Sequence, residues 1–205
     1  MTAIVVIAKE CLPGRVKTRL HPPLSLEQAA ELAAASLDDT IEAVRSIPAD
    51  RRILFFDGDM PPASADGFEI MPQPAGTLDE RLAALFDALD EPTVLVGMDT
   101  PQLRPGDVRW PDSGDVVFGP ALDGGYWAIG MREPRGDLIL GVPMSRAETG
   151  AHQLAAIARA GLCVELLPVL HDVDEIADAE SVAALAPHTR FARALAAASS
   201  EGDAA

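Results

Sequence analysis

Positive charge is scarce in this sequence: 16 lysines and arginines stand against 32 aspartates and glutamates in 205 residues, a formal net charge of −16. General binders of nucleic acid or of anionic membranes need a positive footprint, so neither partner is expected. Cysteine is nearly absent. Cys11 and Cys163 are too few for a disulfide framework and have no metal-ligand spacing, so a reducing, cytoplasmic location is the expectation. No apolar run approaches the ~18–20 residues that a membrane span needs. The first eight residues have neither a basic leader nor a small-residue cleavage site, so no secretory signal is expected. The P-loop pattern and the Gly-x-Gly-x-x-Gly dinucleotide fingerprint are missing, as are internal repeats and Gly/Ser-rich or Pro-rich linkers.

What is present reads as one globular unit. A composition 48% hydrophobic and 23% charged excludes wholesale disorder. Strand-like and helix-like segments alternate along the whole chain. Residues 3–8 (AIVVIA) are a continuous apolar, β-branched run, as in a buried parallel strand. Ser25 with Gln28 and Thr77 with Glu80 have capping-box spacing, and each precedes a helical apolar period. Further strands are expected at 53–56, 68–71, Thr93–Gly97, 115–118, Tyr126–Met131 and 162–167. Further helices are expected at 151–160, closed by Gly161, and at Ile176–Leu185 and 189–198. The expectation is an α/β fold with a mostly parallel, Rossmann-like sheet flanked by helices. It would form a single domain over 1–198, with 199–205 as a disordered tail. The Ala-rich last helix could pack on a second copy or on the fold itself, which leaves the oligomeric state, homodimer included, open.

Four segments could carry chemistry. Lys9, Arg15, Lys17 and Arg19 concentrate a quarter of the cations in the loop after the first strand, with Pro13-Gly14 for a sharp turn. Ligands of open α/β sheets bind beyond the strands' carboxyl ends, so this loop is expected to neutralise phosphate oxygens; the bland alternative is a solvated charged loop. Gly97-Met98-Asp99-Thr100-Pro101 places an acid at the end of a buried strand, where Asp99 suits Mg²⁺ or is simply a turn residue before proline. Gly119-Pro120-Ala-Leu-Asp123-Gly124-Gly125-Tyr126-Trp127 reads either as an Asp-Gly hairpin turn or as a substrate-lining segment. In His171-Asp172-Val173-Asp174, either acid could join Asp99 on a metal, or cap the helix that follows.

Other candidates carry less. Asp57-Gly58-Asp59 leads into Met60-Pro61-Pro62 and reads as a turn rather than as a phosphatase centre. His152 and His171 have no Ser or Cys partner in a triad-like setting. Cys11 lies among the cations, where its thiol pKa could be lowered.

These segments, in this order, resemble a bacterial family of small glycosyltransferase-A-fold proteins, glycosyltransferase-like or nucleotide-diphospho-sugar transferase-like. The family is similar in turn to phospholactate guanylyltransferases and molybdenum-cofactor nucleotidyltransferases. The resemblance rests on AKECLPGRVKTRL, GTLDERL, GMDTP, GPALDGGYWAIG, GVPMS with Thr149-Gly150, and HDVDEIADAE, and spans residues 4 to about 185. It implies that Lys9, Gly14, Lys17 and Arg19 bind nucleotide phosphates, and the basic cluster adds Arg15 to them. Lys17 and Asp99 would be catalytic. Asp99 and Asp174 would hold Mg²⁺ (or Mn²⁺), and Asp123, Gly124, Gly125, Tyr126, Thr149 and Gly150 would face the acceptor. The chain departs from the family pattern at Cys11, at Asp79, where glycine is frequent, and at Arg146, where Ser or Thr is frequent. The last two bear on donor or acceptor choice.

The expected activity is therefore a metal-dependent transfer from a nucleoside triphosphate or nucleotide-sugar to a small-molecule acceptor. The alternative is a non-catalytic nucleotide-binding module that acts with a partner protein.

Overall fold

The computed structural model describes residues 1–110 and 114–202. Among these, β1 (Ala3–Lys9), α1 (Leu26–Arg45), β2 (Arg51–Asp57), β3 (Glu69–Pro72), α2 (Leu78–Asp87) and β4 (Thr93–Gly97) make up the first half. The second half contains β5 (Val116–Pro120), β6 (Tyr126–Met131), α3 (Thr149–Arg159), β7 (Val164–Leu166), α4 (Ile176–Leu185) and α5 (Arg190–Gly202). The strands form one sheet in the order β3-β2-β1-β4-β6-β5-β7. β1 pairs in parallel with β2 and β4, β2 with β3, and β5 with β7; β6 is antiparallel to both β4 and β5. Every strand except β6 thus points the same way. The loops that follow β1, β4, β5 and β7 consequently leave from one edge of the sheet, and all the candidate site segments lie there.

Both faces of the sheet are covered, which is why β1 reads as an unbroken apolar run rather than an alternation. Ile4 and Val6 pack with Leu37, Ile41 and Val44 of α1 on one face. Ala3 and Val5 pack with Leu82, Leu85 and Phe86 of α2 and Ile157 of α3 on the other. The helices begin where the sequence signals them. Ser25 Oγ accepts the Gln28 N–H at 3.1 Å while Gln28 Oε1 accepts the Ser25 N–H at 2.9 Å. Glu80 accepts the Thr77 N–H at 2.8 Å.

At the chain's end one of the two open alternatives is seen and one expectation changes. The last helix packs within the chain: Phe191 and Leu195 of α5 meet Ala29 and Leu32 of α1. Asp39 fixes the start of α5 by accepting the N–H groups of Arg190 and Phe191 at 3.1 and 2.9 Å. The helix also runs on through Gly202, so residues 199–202 of the expected disordered tail are helical. Ser199 and Ser200 return their hydroxyls to the carbonyls of Leu195 and Ala197 (3.0 and 2.7 Å), a bond that lets serine continue a helix. Residues 203–205 of that tail lie outside the described residues.

Candidate functional site

Each loop at the carboxyl edge of the sheet contributes one part of a charged constellation. After β4, Met98 is tied to α1 by the Ser36 hydroxyl at 2.8 Å, and Asp99 follows. Its carbonyl accepts the Val173 N–H at 3.2 Å, which joins the β4 loop to the segment after β7. The loop after β1 closes over this junction. Lys17 adopts the left-handed conformation (φ 45°), rare for a residue with a side chain. From there its ammonium turns inward, donating to the Val173 carbonyl and sitting 3.0 Å from Asp99 and 3.4 Å from Asp174. The Lys17 side chain is only 10% exposed. Burial alone would lower its pKa, but Asp99 and Asp174 outweigh that and the net shift is upward.

The expectation is that Lys17 presents its charge to a ligand phosphate; in this structure that charge meets two carboxylates and a carbonyl, while the residue still lines the smaller cleft. The expected metal pair lies at the same place. Asp99 and Asp174 do converge, but on the ammonium of Lys17.

Asp174 also belongs to a second cluster, in which Asp123 and Asp172 stand where Asp99 is expected. Ligand oxygens of Asp123, Asp172 and Asp174 all lie within 4.8 Å of one another. Half-buried Asp172 is pushed up to about 6, by burial first and by the Asp123 carboxylate next. Three hard oxygen donors at this spacing, with one already reluctant to ionise, fit the ligand set of a divalent cation such as Mg²⁺. Neither Asp172 nor Asp174 is the cap of α4. Glu175 is the cap residue, and Asp178 reaches back to accept the N–H groups of Asp174 and Glu175 at 3.1 and 2.8 Å. Asp178 also pairs with His171 at 2.9 Å, so that histidine braces the segment.

Two clefts meet at the acids. The smaller, about 180 Å³, lies under the basic loop and is lined by Lys9, Lys17 and Arg19. The larger, about 490 Å³, runs the other way along the sheet edge and is walled by Leu78, Leu82, Leu95, Tyr126 and Met144. Arg19, Asp99 and Asp174 line both. Arg19 is exposed and reaches Asp174 at 3.2 Å. Arg15 is exposed beyond the tight turn at Gly14 (φ +76°), where Arg15 N–H bonds the Leu12 carbonyl at 3.0 Å, and lines neither cleft. Cys11 packs behind the loop, and its thiol is pushed up to about 11, first by burial and then by Asp99; this reverses the expected lowering.

The residues expected to face the acceptor divide by role. Asp123, Gly125, Tyr126 and Thr149 line the larger cleft. Tyr126 is held neutral, its phenol pKa raised by burial. Thr149 is fixed, its hydroxyl donating to the Pro143 carbonyl at 2.9 Å and accepting the Arg146 N–H at 3.0 Å. Gly124 and Gly150 serve close packing. A Cβ on Gly124 would lie 1.9 Å from the Ala147 carbonyl oxygen, and Gly150 N–H bonds the Gly124 carbonyl at 2.9 Å. The segment combines two structural roles. It turns a β5–β6 hairpin and it lines the cleft. Gly119 has a packing reason as well, since a Cβ there would meet the Trp127 ring at 2.5 Å.

Three residues acquire meaning only in three dimensions. Asp79, at its departure from the family pattern, accepts from Gly141 N–H at 2.9 Å and Thr77 Oγ1 at 2.6 Å, and so fastens the start of α2 to the segment between β6 and α3. Arg81 binds Asp57 at 2.9 Å and so ties α2 to the end of β2. Thr100 is fully buried on the larger cleft, with a hydroxyl that has no hydrogen-bond partner among the described residues.

A Rossmann-like, mostly parallel sheet with one reversed strand and its site at the carboxyl edge defines a nucleotide-diphospho-sugar transferase fold of the glycosyltransferase-A type. The chain belongs to the bacterial family described as "Uncharacterized protein conserved in bacteria (DUF2064)", whose pattern matches residues 40–146. No curated protein matches it in sequence. Among solved structures it is similar to a candidate nucleotide-diphospho-sugar transferase from Desulfovibrio desulfuricans G20. That pair shares 25% identity and a TM-score of 0.82, covering 99% of this chain and 95% of the other. A nucleotidyl transferase from Methanothermobacter (16%, TM-score 0.59, 94% and 98% covered) shares the fold. So does the inositol-1-phosphate CTP transferase of T. maritima (12%, TM-score 0.52, 89% and 94% covered). No helix among the described residues is long and apolar enough to cross a membrane.

Proposed function

We propose that this protein is a metal-dependent transferase that takes its donor from a nucleoside triphosphate or a nucleotide-sugar. One observation carries the reading: a cation-lined cleft and an apolar-walled cleft share a carboxylate cluster at the carboxyl edge of the sheet. Donor phosphates occupy the smaller cleft, where Lys9 and Arg19 neutralise them, with Arg15 at the loop's outer rim. Asp172, Asp174 and Asp123 are placed to hold Mg²⁺ or Mn²⁺, with Asp99 beside them. When bound, that cation would offset the charge of the donor's phosphates.

The chain's own residues do the rest. Lys17 fixes Asp99 and Asp174 against the Val173 carbonyl, so it acts as a positioning cation. The acceptor lies in the larger cleft between Tyr126, Leu82 and the acids. Two reactions suit this arrangement. In nucleotidyl transfer, an acceptor oxygen bonds to the α-phosphorus as the α–β bridge breaks and pyrophosphate departs. In glycosyl transfer, an acceptor hydroxyl bonds to the anomeric carbon, its proton passes to a carboxylate, and a nucleoside diphosphate departs. Both depend on alignment and charge neutralisation.

The test is thermal unfolding against the common nucleoside triphosphates and nucleotide-sugars, each with Mg²⁺, Mn²⁺ or EDTA. A ligand at 100 times its Kd stabilises by about 2.7 kcal/mol, which for a chain of this size raises Tm by roughly 5–10 °C. The expected result is a shift for one donor that disappears in EDTA. A shift that survives EDTA identifies a nucleotide-binding module instead, and no shift with any donor overturns the reading.

A further inference from the structure

Arg146 is the unusual residue on the larger cleft. In a chain of net charge −16, it lines a cleft that also holds Asp99, Asp123, Asp172 and Asp174, yet it has no acid within ion-pair distance among the described residues. Arg19, the other arginine on that cleft, is tied to Asp174. Arg146 is exposed at the cleft, and its fork of donors is free to meet a ligand there.

Its position is also built rather than incidental. Ser145, just before it, is left-handed (φ 57°), a conformation that costs of order 1–3 kcal/mol in a residue with a side chain. Thr149 grips Arg146 from both sides. Its hydroxyl accepts the Arg146 N–H and its own N–H donates to the Arg146 carbonyl, each at 3.0 Å. The carbonyl of Ala147 presses so closely on Gly124 that no side chain fits there. The turn is thus clamped to the hairpin loop that supplies Asp123.

We infer that Arg146 seats an anionic group of the acceptor, a carboxylate or a phosphate, and that the acceptor is a small organic anion with an apolar body. This rests on the transferase reading, since only there is the occupant of the larger cleft an acceptor. The apolar walls, Leu78, Leu82 and Met144 among them, suit the body. The surrounding carboxylates would repel the anion, and a guanidinium with no internal partner is the group that can offset them.

The test uses the full chain and three probes of one shape: phenyl phosphate, phenylacetate and benzyl alcohol. Their affinities are measured by calorimetry for the wild type, Arg146→Ser and Arg146→Lys, beside titrations with each nucleoside triphosphate and Mg²⁺. At least one anion should bind the wild type better than the neutral alcohol. Arg146→Ser should weaken that anion roughly tenfold or more, Arg146→Lys less, and nucleotide affinity should stay within about twofold. The stronger of the two anions identifies the group. The inference is overturned if neither anion exceeds benzyl alcohol or if Arg146→Ser leaves anion binding unchanged. It is also overturned if nucleotide affinity falls in proportion, which would put Arg146 on the donor. A wild type that binds no nucleotide overturns instead the transferase reading, and with it the acceptor's name, whatever the anions do.

Discussion

Asp172→Asn should make the metal-free protein more stable at neutral pH, although it removes a charged group from the candidate site. The Asp172 carboxyl is pushed up from 3.8 to about 6, chiefly by burial and then by Asp123. An acid whose folded pKa is raised binds its proton more tightly in the native state. Its contribution to stability is therefore favourable below the unfolded value of 3.8, falls as pH rises toward about 6, and is a constant penalty above that. The full shift of about two units corresponds to an upper bound near 3 kcal/mol. Asp172 is only half-buried, and solvent screening reduces that to about 1–2 kcal/mol. For a chain of this length the gain in Tm is roughly 2–8 °C. The assay is thermal unfolding of wild type and Asp172→Asn in EDTA at pH 7.5 and pH 4, repeated with Mn²⁺. The variant should lead at pH 7.5, lose most of its lead at pH 4, and lose the stabilisation that Mn²⁺ gives the wild type. A variant less stable than wild type at pH 7.5, with the Mn²⁺ effect intact, would refute both the crowding of the three acids and their role as a cation site.

Lys17→Met should destabilise by about 1–3 kcal/mol in urea unfolding, because Asp99 and Asp174 lose a charged donor but remain about 40% exposed to water; a change below 0.5 kcal/mol would show that the ammonium does not hold them. As the Lys17 pKa is raised, its stabilisation is complete at neutral pH and fades only as pH climbs above 10.5, which an alkaline unfolding series would detect as a difference between wild type and variant. Gly124→Ala should cost at least about 2 kcal/mol, combining a left-handed backbone (φ +88°) with contact against the Ala147 carbonyl, and an unchanged Tm would contradict the close hairpin packing. Cys11 should react with a thiol reagent far more slowly than exposed Cys163 at pH 8, since burial pushes its thiol up to about 11; equal rates would count against the packed loop.

Much of the fold could be read locally. Continuous apolar runs mark strands covered on both faces, and the Ser25–Gln28 and Thr77–Glu80 spacings mark helix starts, because these signals act over a few residues. The basic loop and the acids at strand ends also followed from sequence, since strand polarity in an α/β sheet decides which loops share an edge. Which charges meet whom did not follow. Lys17 and Asp174 are 157 positions apart, and nothing near either residue announces that a left-handed backbone will turn the ammonium inward. The same holds for Asp123 and Asp172, brought together only because β5 and β7 are neighbours in the sheet, and for Arg146, which has no acid within ion-pair distance among the described residues. The sequence by itself determined the elements, their order and the chemical types present at the carboxyl edge, because propensity and patterning are short-range. Only the tertiary structure decided that Asp99 and Asp174 meet the Lys17 ammonium and that Asp123 and Asp172 gather beside Asp174, because electrostatic pairing depends on distances that the chain sets by folding.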